Sequence, residues 1–180
     1  MKQTLILFMQ DEPGVLNRIS SLVRRRNFNI ESIVAGRTEK KGITRMTLVV
    51  NEPDTTKQKT IINNIKRLVE IYDVVDATGQ DCHIREHALV KISIADQDKK
   101  EIDKLVSSGN CKILDSDKNA MILELAGNES TVEGTIKTLE KYNILELLRS
   151  GKMAMISGNK DKHKPKLSSQ AHIGRARYLL

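Results

Sequence analysis

Apolar runs of strand length and apolar positions at helical spacing alternate along this chain in the order strand, helix, strand, strand, helix, strand, and the order occurs twice before residue 158. Such a repeat leaves few folds open, because each unit must bury one sheet face under its own two helices. In the first unit, Thr4–Met9 is an unbroken apolar run and predicts a buried strand. Asp11-Glu12-Pro13-Gly14 follows as a helix start, with Pro13 suited to the first helical position and an acid before it suited to the cap and the dipole. Val15, Leu16, Ile19, Leu22 and Val23 share one helical face, and Asn27-Phe28-Asn29 ends the helix. Arg24, Arg25 and Arg26 then read as a solvated helix end that complements the dipole. Ile30–Gly36 and Thr44–Val50 are strands. Thr55-x-x-Gln58 has the capping-box pattern for a second helix carrying Ile61, Ile62, Ile65, Leu68 and Val69, and Ile71–Ala77 closes the unit as a strand.

Gly79–Arg85 is polar and reads as the body of a linker. The plan then recurs with a strand at Ala88–Ile94, a helix at Lys99–Ser107, and a hairpin of Cys111–Leu114 with Ala120–Leu125. A helix capped by Asn128 follows, then a strand at Ile144–Leu148 that Met153–Ile156 is placed to extend. Two βαββαβ units in tandem are the ferredoxin-like plan of the α+β class. The expected boundaries are 1–78, a linker at 79–86, a smaller second unit at 87–158, and a basic tail at 159–180 that reads as flexible chain up to about Ser169.

Charge and composition remove several function classes. The net charge of +7 is mostly local, since 159–180 holds six cations against one acid and the first 158 residues carry only +2. The basic balance therefore does not by itself call for an acidic partner. No apolar run approaches the roughly 18 residues of a membrane span, and the start of the chain lacks the pattern of a secretory signal, so the expected location is cytoplasmic with no membrane partner. Cys82 and Cys111 read as reduced thiols. Of the four histidines, His83 and His87 lie four apart but in linker entering a strand, and no second pair has zinc-ligand spacing, so no metal is expected. No nucleophile motif and no Gly-rich phosphate loop occurs.

One constellation remains. Asp11-Glu12-Pro13-Gly14-Val15-Leu16 joins the first strand to the first helix, where unpaired N–H groups and the positive dipole end can hold a carboxylate. Gly14 lets a ligand approach the backbone, and Asn29 both donates and accepts. With Ile30 as an apolar wall, these groups suit a free amino acid. The same residues are also simply a good helix start.

The stretch QDEPGVLNRISSLVRRRNFNIESI followed by RMTLVV resembles the small regulatory subunits of acetolactate synthase, and the first unit is similar to an ACT domain. Pro13-Gly14-Val15-Leu16, Arg25, Asn29-Ile30-Glu31-Ser32 and Thr44-Arg45-Met46-Thr47 carry the likeness, with weaker agreement in LVEIYDVVD (68–76), HIRE (83–86) and LVKI (89–92). The resemblance implies a chain without catalysis or cofactor of its own. Its partner would be a large catalytic subunit holding thiamine diphosphate, magnesium and FAD. It implies feedback inhibition by valine or a related branched-chain amino acid, bound where two ACT domains of a homodimer meet. Asp11, Gly14 and Val15 of one chain would then face Asn29 and Ile30 of the other, with Pro13 and Leu16 completing the effector-binding set. Asp11 departs from the family pattern, which commonly has Asn there; an acid repels an effector carboxylate and attracts its ammonium.

Two other functions fit the same outline. One is a free-standing ACT regulator of another enzyme. The other is an RNA-recognition module, which needs aromatic residues on the two central strands. Phe8 and Tyr72 are placed outside those strands on this reading and Phe28 before a strand, so no nucleic-acid partner is expected.

Overall fold

The computed structural model describes residues 2–95, 98–109 and 111–158, so the expectations for the tail lie outside the described residues. The chain divides into two compact units. In the first, the elements are β1 (Lys2–Gln10), α1 (Val15–Arg25), β2 (Asn29–Arg37), β3 (Ile43–Asn51), α2 (Thr55–Ile65) and β4 (Ile71–Asp76). The sheet order is β2-β3-β1-β4. β1 runs antiparallel to β3 from Lys2 opposite Asn51 to Gln10 opposite Ile43, and antiparallel to β4 with a register shift between Phe8 and Met9. This is the ferredoxin-like arrangement expected. Leu5, Leu7, Met46, Leu48, Ile19 and Ile61 are fully buried and make the core between sheet and helices. At about 25 cal/mol per Å² of apolar surface removed from water, such side chains each contribute roughly 1.5–3 kcal/mol.

Both helix starts differ from expectation. Helix α1 begins at Val15, not Pro13. Gly14 is the N-cap at φ 88°, ψ −15°, and no side chain caps the first turn. That left-handed conformation is open to glycine and strained for other residues, which is why the turn can follow Pro13 so tightly. The capping box at Thr55-x-x-Gln58 does not form. Asp54 caps α2 instead, its carboxylate accepting from Thr56 N at 2.8 Å and from Lys57 N at 3.4 Å. Gln58 is drawn inward, donating Nε2 to the Glu52 carbonyl at 2.7 Å. At the far end of α1, Asn27 at φ 58° stops the helix. Phe28 N reaches the Val23 carbonyl at 3.2 Å and Asn27 N the Arg24 carbonyl at 2.9 Å, a Schellman closure.

The second unit contains β5 (Cys82–Ser93), α3 (Lys99–Ser107), β6 (Cys111–Ser116), β7 (Ala120–Gly127), α4 (Glu129–Leu139), β8 (Ile144–Arg149) and β9 (Met153–Ile156). Strand order is β6-β7-β5-β8, the same plan as the first unit. Val90, Ile92, Leu123 and Leu125 face Ile102 of α3 and Leu139 of α4 in its core. Two expectations fail together here. Cys82–Glu86, read as linker, is strand, and Met153–Ile156 does not extend β8 but pairs with the start of β5, Cys82 opposite Ile156 and Arg85 opposite Met153. Polar side chains at His83 and Arg85 alternate outward with half-buried Cys82 and Ile84. A partner some 70 residues away supplies the ladder, which local polarity does not announce.

The β6–β7 turn gives a pH-dependent test. Asp117 Oδ1 accepts N–H bonds from Asn119 and Ala120, both at 2.7 Å, and these hold its carboxyl below the ordinary value. A depressed folded pKa stabilises fully above the unfolded value, about 3.9, and the effect is lost as pH falls through the folded one. The urea midpoint of Asp117→Asn should therefore trail the parent at neutral pH and converge on it below about pH 4. A gap constant with pH would mean that the carboxylate's charge contributes nothing.

Candidate functional site

The corner between β1 and α1 is built by the two strands that flank it. Gln10 N bonds the Glu70 carbonyl at 2.9 Å and Asp11 N the Gly42 carbonyl at 3.0 Å, which fixes the chain up to Asp11. The Asp11 carboxylate does not reach the helix. Thr44 Oγ1 donates to its Oδ1 at 3.0 Å, and Arg37 Nε stands 3.5 Å from its Oδ2. Thr44 is opposite Met9 in the β1–β3 ladder and Arg37 ends β2, so neighbouring strands place both groups. The anionic charge at position 11 is thus partly offset within the chain.

Pro13 and Gly14 are exposed, Val15 is buried in the core, and Leu16 is about half exposed at 47%. The first-turn amides of α1 have no side-chain acceptor, and the dipole adds positive potential. A donor set for one carboxylate, an acid for one ammonium and an exposed apolar side chain therefore share one surface. Asn29 and Ile30 do not join them. They lie beyond the opposite end of α1, whose 11 residues span about 16 Å. No free amino acid spans that distance inside one chain. Asn29 and Ile30 instead open β2, an edge strand of the sheet.

Arg37 and Thr44 are the neighbours that sequence reading missed as site residues. Their only signal was register: the short turn between β2 and β3 brings Arg37 and Thr44 to one end of the sheet, and the β1–β3 ladder sets Thr44 opposite Met9. Phe8 also needs correction. It stands on β1, a central strand, directly opposite Arg45. The Arg45 guanidinium lies 6.0 Å over its ring, and burial lowers the arginine's pKa. A ring covered in this way is not an open platform for a base. Among the described residues, no cluster of three or more His, Cys, Asp or Glu is placed to hold a metal ion, and no helix is long and apolar enough to cross a membrane.

Comparison with known proteins decides the family. Residues 5–74 match the model of the ACT domain of acetohydroxyacid synthase small subunits, and residues 85–158 match that of the small subunit of acetolactate synthase. A probable acetolactate synthase small subunit from Archaeoglobus fulgidus is 36% identical over 160 residues, covering 89% of this chain and 99% of its own. The chain belongs to the acetolactate synthase small-subunit family. The small subunit from Bacillus subtilis is 30% identical over 162 residues, covering 90% of this chain and 94% of its own. The crystal structure of the small subunit from Thermotoga maritima superposes with a TM-score of 0.80 at 32% identity, covering 89% of this chain and 99% of that one. Both units of the fold are therefore family features.

Proposed function

We propose that this chain is the regulatory subunit of acetolactate synthase, without catalysis of its own, in the branched-chain amino acid pathway. It activates a large subunit that carries thiamine diphosphate, magnesium and FAD, and it imposes feedback inhibition by valine. In this reading both subunits work in the cytoplasm, residues 1–78 form the sensing unit, and two chains pair through their ACT domains.

The observation that carries the reading is the split site. The uncapped turn at Gly14–Leu16 can receive a carboxylate, while Asn29 and Ile30 stand at the start of β2, an edge strand of its sheet. Pairing along β2 brings Asn29 and Ile30 of one chain to the other chain, which completes what one chain lacks. Asp11, backed by Thr44 and Arg37, serves the effector's ammonium. Inhibition then follows by linkage: valine shifts the complex only by as much as it prefers one state, typically about 1–3 kcal/mol.

Titration calorimetry of the purified chain with valine, leucine and isoleucine tests this. Saturable binding of one of them is expected, and no binding either to the chain or to its complex with the large subunit would refute the sensor. Losing a hydrogen bond to a charged ligand group costs about 1.5–3 kcal/mol. Asn29→Ala should therefore raise the valine concentration for half-inhibition by roughly tenfold or more while activation of the large subunit stays intact. Unchanged inhibition would remove Asn29 from the site.

A further inference from the structure

The helix layer of the first unit has a charge pattern that effector binding does not use. On and just after α1 stand Arg18, Arg24, Arg25 and Arg26, and on and just after α2 stand Lys57, Lys59, Lys66 and Arg67. All eight are exposed. Residues 15–26 and 55–70 contain a single acid, Glu70, so these stretches carry +7 while the rest of the first 158 residues carries −5. The near-neutral total thus conceals a segregated charge. Among the described residues only Arg18 of the eight has a carboxylate partner, Glu70.

The topology gathers these cations on one surface. β1 and β3 are antiparallel, so α1 and α2, which follow them and pack side by side, are antiparallel too. The Arg18–Glu70 pair joins the start of α1 to the end of α2, with Lys66 and Arg67 beside it. Arg24–Arg26 accordingly lie toward the start of α2, where Lys57 and Lys59 stand. Arg24 and Arg25 complement the helix dipole, but Lys57 and Lys59 occupy the wrong end of theirs. Local stability does not explain two lysines near the N-terminus of a helix facing three arginines. A surface that violates a local rule without a stabilising return is a candidate for function.

We propose that this basic helix layer docks an acidic surface of the large catalytic subunit, a proposal that rests on the small-subunit reading above. A protein partner fits better than a nucleic acid, because neither helix carries an aromatic side chain for stacking. Charge of one sign spread over two helices acts mainly on the rate and register of association.

The test measures association of the full chain with the purified large subunit by surface plasmon resonance over a salt series. The parent should associate at a rate that falls steeply with salt. Lys57→Glu/Lys59→Glu should slow association at low salt by about tenfold or more and flatten the salt dependence. Its thermal midpoint should hold or rise, because acids suit that helix end, so misfolding cannot imitate the result. Arg24→Gln/Arg25→Gln/Arg26→Gln should act in the same direction, and Lys91→Glu/Lys112→Glu in the second unit should not. Parent-like association of both helix variants would overturn the proposal, as would an effect confined to heparin or RNA binding. Failure of the unaltered chain to bind the large subunit at any salt would overturn the small-subunit reading itself.

Discussion

Arg149→Met should destabilise the second unit by roughly 1–3 kcal/mol, because Glu86 is buried while Arg149 is about a third exposed and solvent screens part of the pair. Glu86 lies on β5 with its side chain 3% exposed, and Arg149 of β8 grips it with two bonds, Nε to Oε1 at 2.6 Å and NH2 to Oε2 at 2.9 Å. The third guanidinium nitrogen reaches Glu133 of α4 at 2.9 Å, and these carboxylates hold the arginine's pKa above its ordinary value. Without Arg149, Glu133 rehydrates because it is half exposed, but Glu86 cannot. In the variant the Glu86 carboxylate is left buried without its counter-charge, and that is where the cost arises. Urea unfolding at pH 7 should show the deficit. Glu86→Gln/Arg149→Met should recover much of the loss, since no ionised group then remains buried. A deficit below about 1 kcal/mol at pH 7 would mean that water reaches Glu86.

That pair also shows which parts of the fold were legible in the sequence. The elements themselves were plain wherever a pattern is local: the apolar run of β1, the helical spacing of α1 and the Asn128 cap, whose side-chain Oδ1 accepts from Thr131 N at 2.8 Å. Glu86 read as linker because its neighbours His83, Arg85 and His87 are polar. Its burial depends on Arg149 and on β9, more than 60 residues away in sequence, and no local window contains that information. The helix starts were misread for a different reason. Asp11-x-Pro13 and Thr55-x-x-Gln58 satisfy capping rules, but a left-handed Gly14 starts α1 at Val15 with no side-chain cap, and a better-placed Asp54 takes the amides of α2.

The candidate site was legible as chemistry but not as geometry. Asp11, Gly14 and Asn29 are residue types that suit an amino acid, and the sequence displays them openly. The helix between Gly14 and Asn29 could be read from the sequence; that Arg37 and Thr44 occupy the Asp11 carboxylate could not. The same limit hid the basic layer. Arg24–Arg26 alone look like an ordinary helix end, and only the antiparallel packing of α1 on α2 gives them Lys57 and Lys59 as neighbours.

Gly14→Val should combine a loss of stability with a loss of effector binding, and the two have separate causes. A Cβ at position 14 meets no atom within 4 Å, so crowding contributes nothing. The cost is conformational, because a β-branched residue at φ 88° sits where L side chains are strained, at roughly 1–3 kcal/mol. Relief of that strain requires rotation of residues 13–15, which carries the first-turn amides with it. Valine affinity should then fall by at least about tenfold, as for a lost charge-assisted contact. Gly14→Ala, with one methyl and no branching, should lose less of both. Gly134→Ala is the contrasting case: it lies within α4 at ordinary φ with open space at its Cβ, and should stabilise by about 0.5–1 kcal/mol without touching affinity. Calorimetry and thermal unfolding on the three variants separate the effects. Wild-type valine affinity in Gly14→Val would count against the carboxylate's use of these amides.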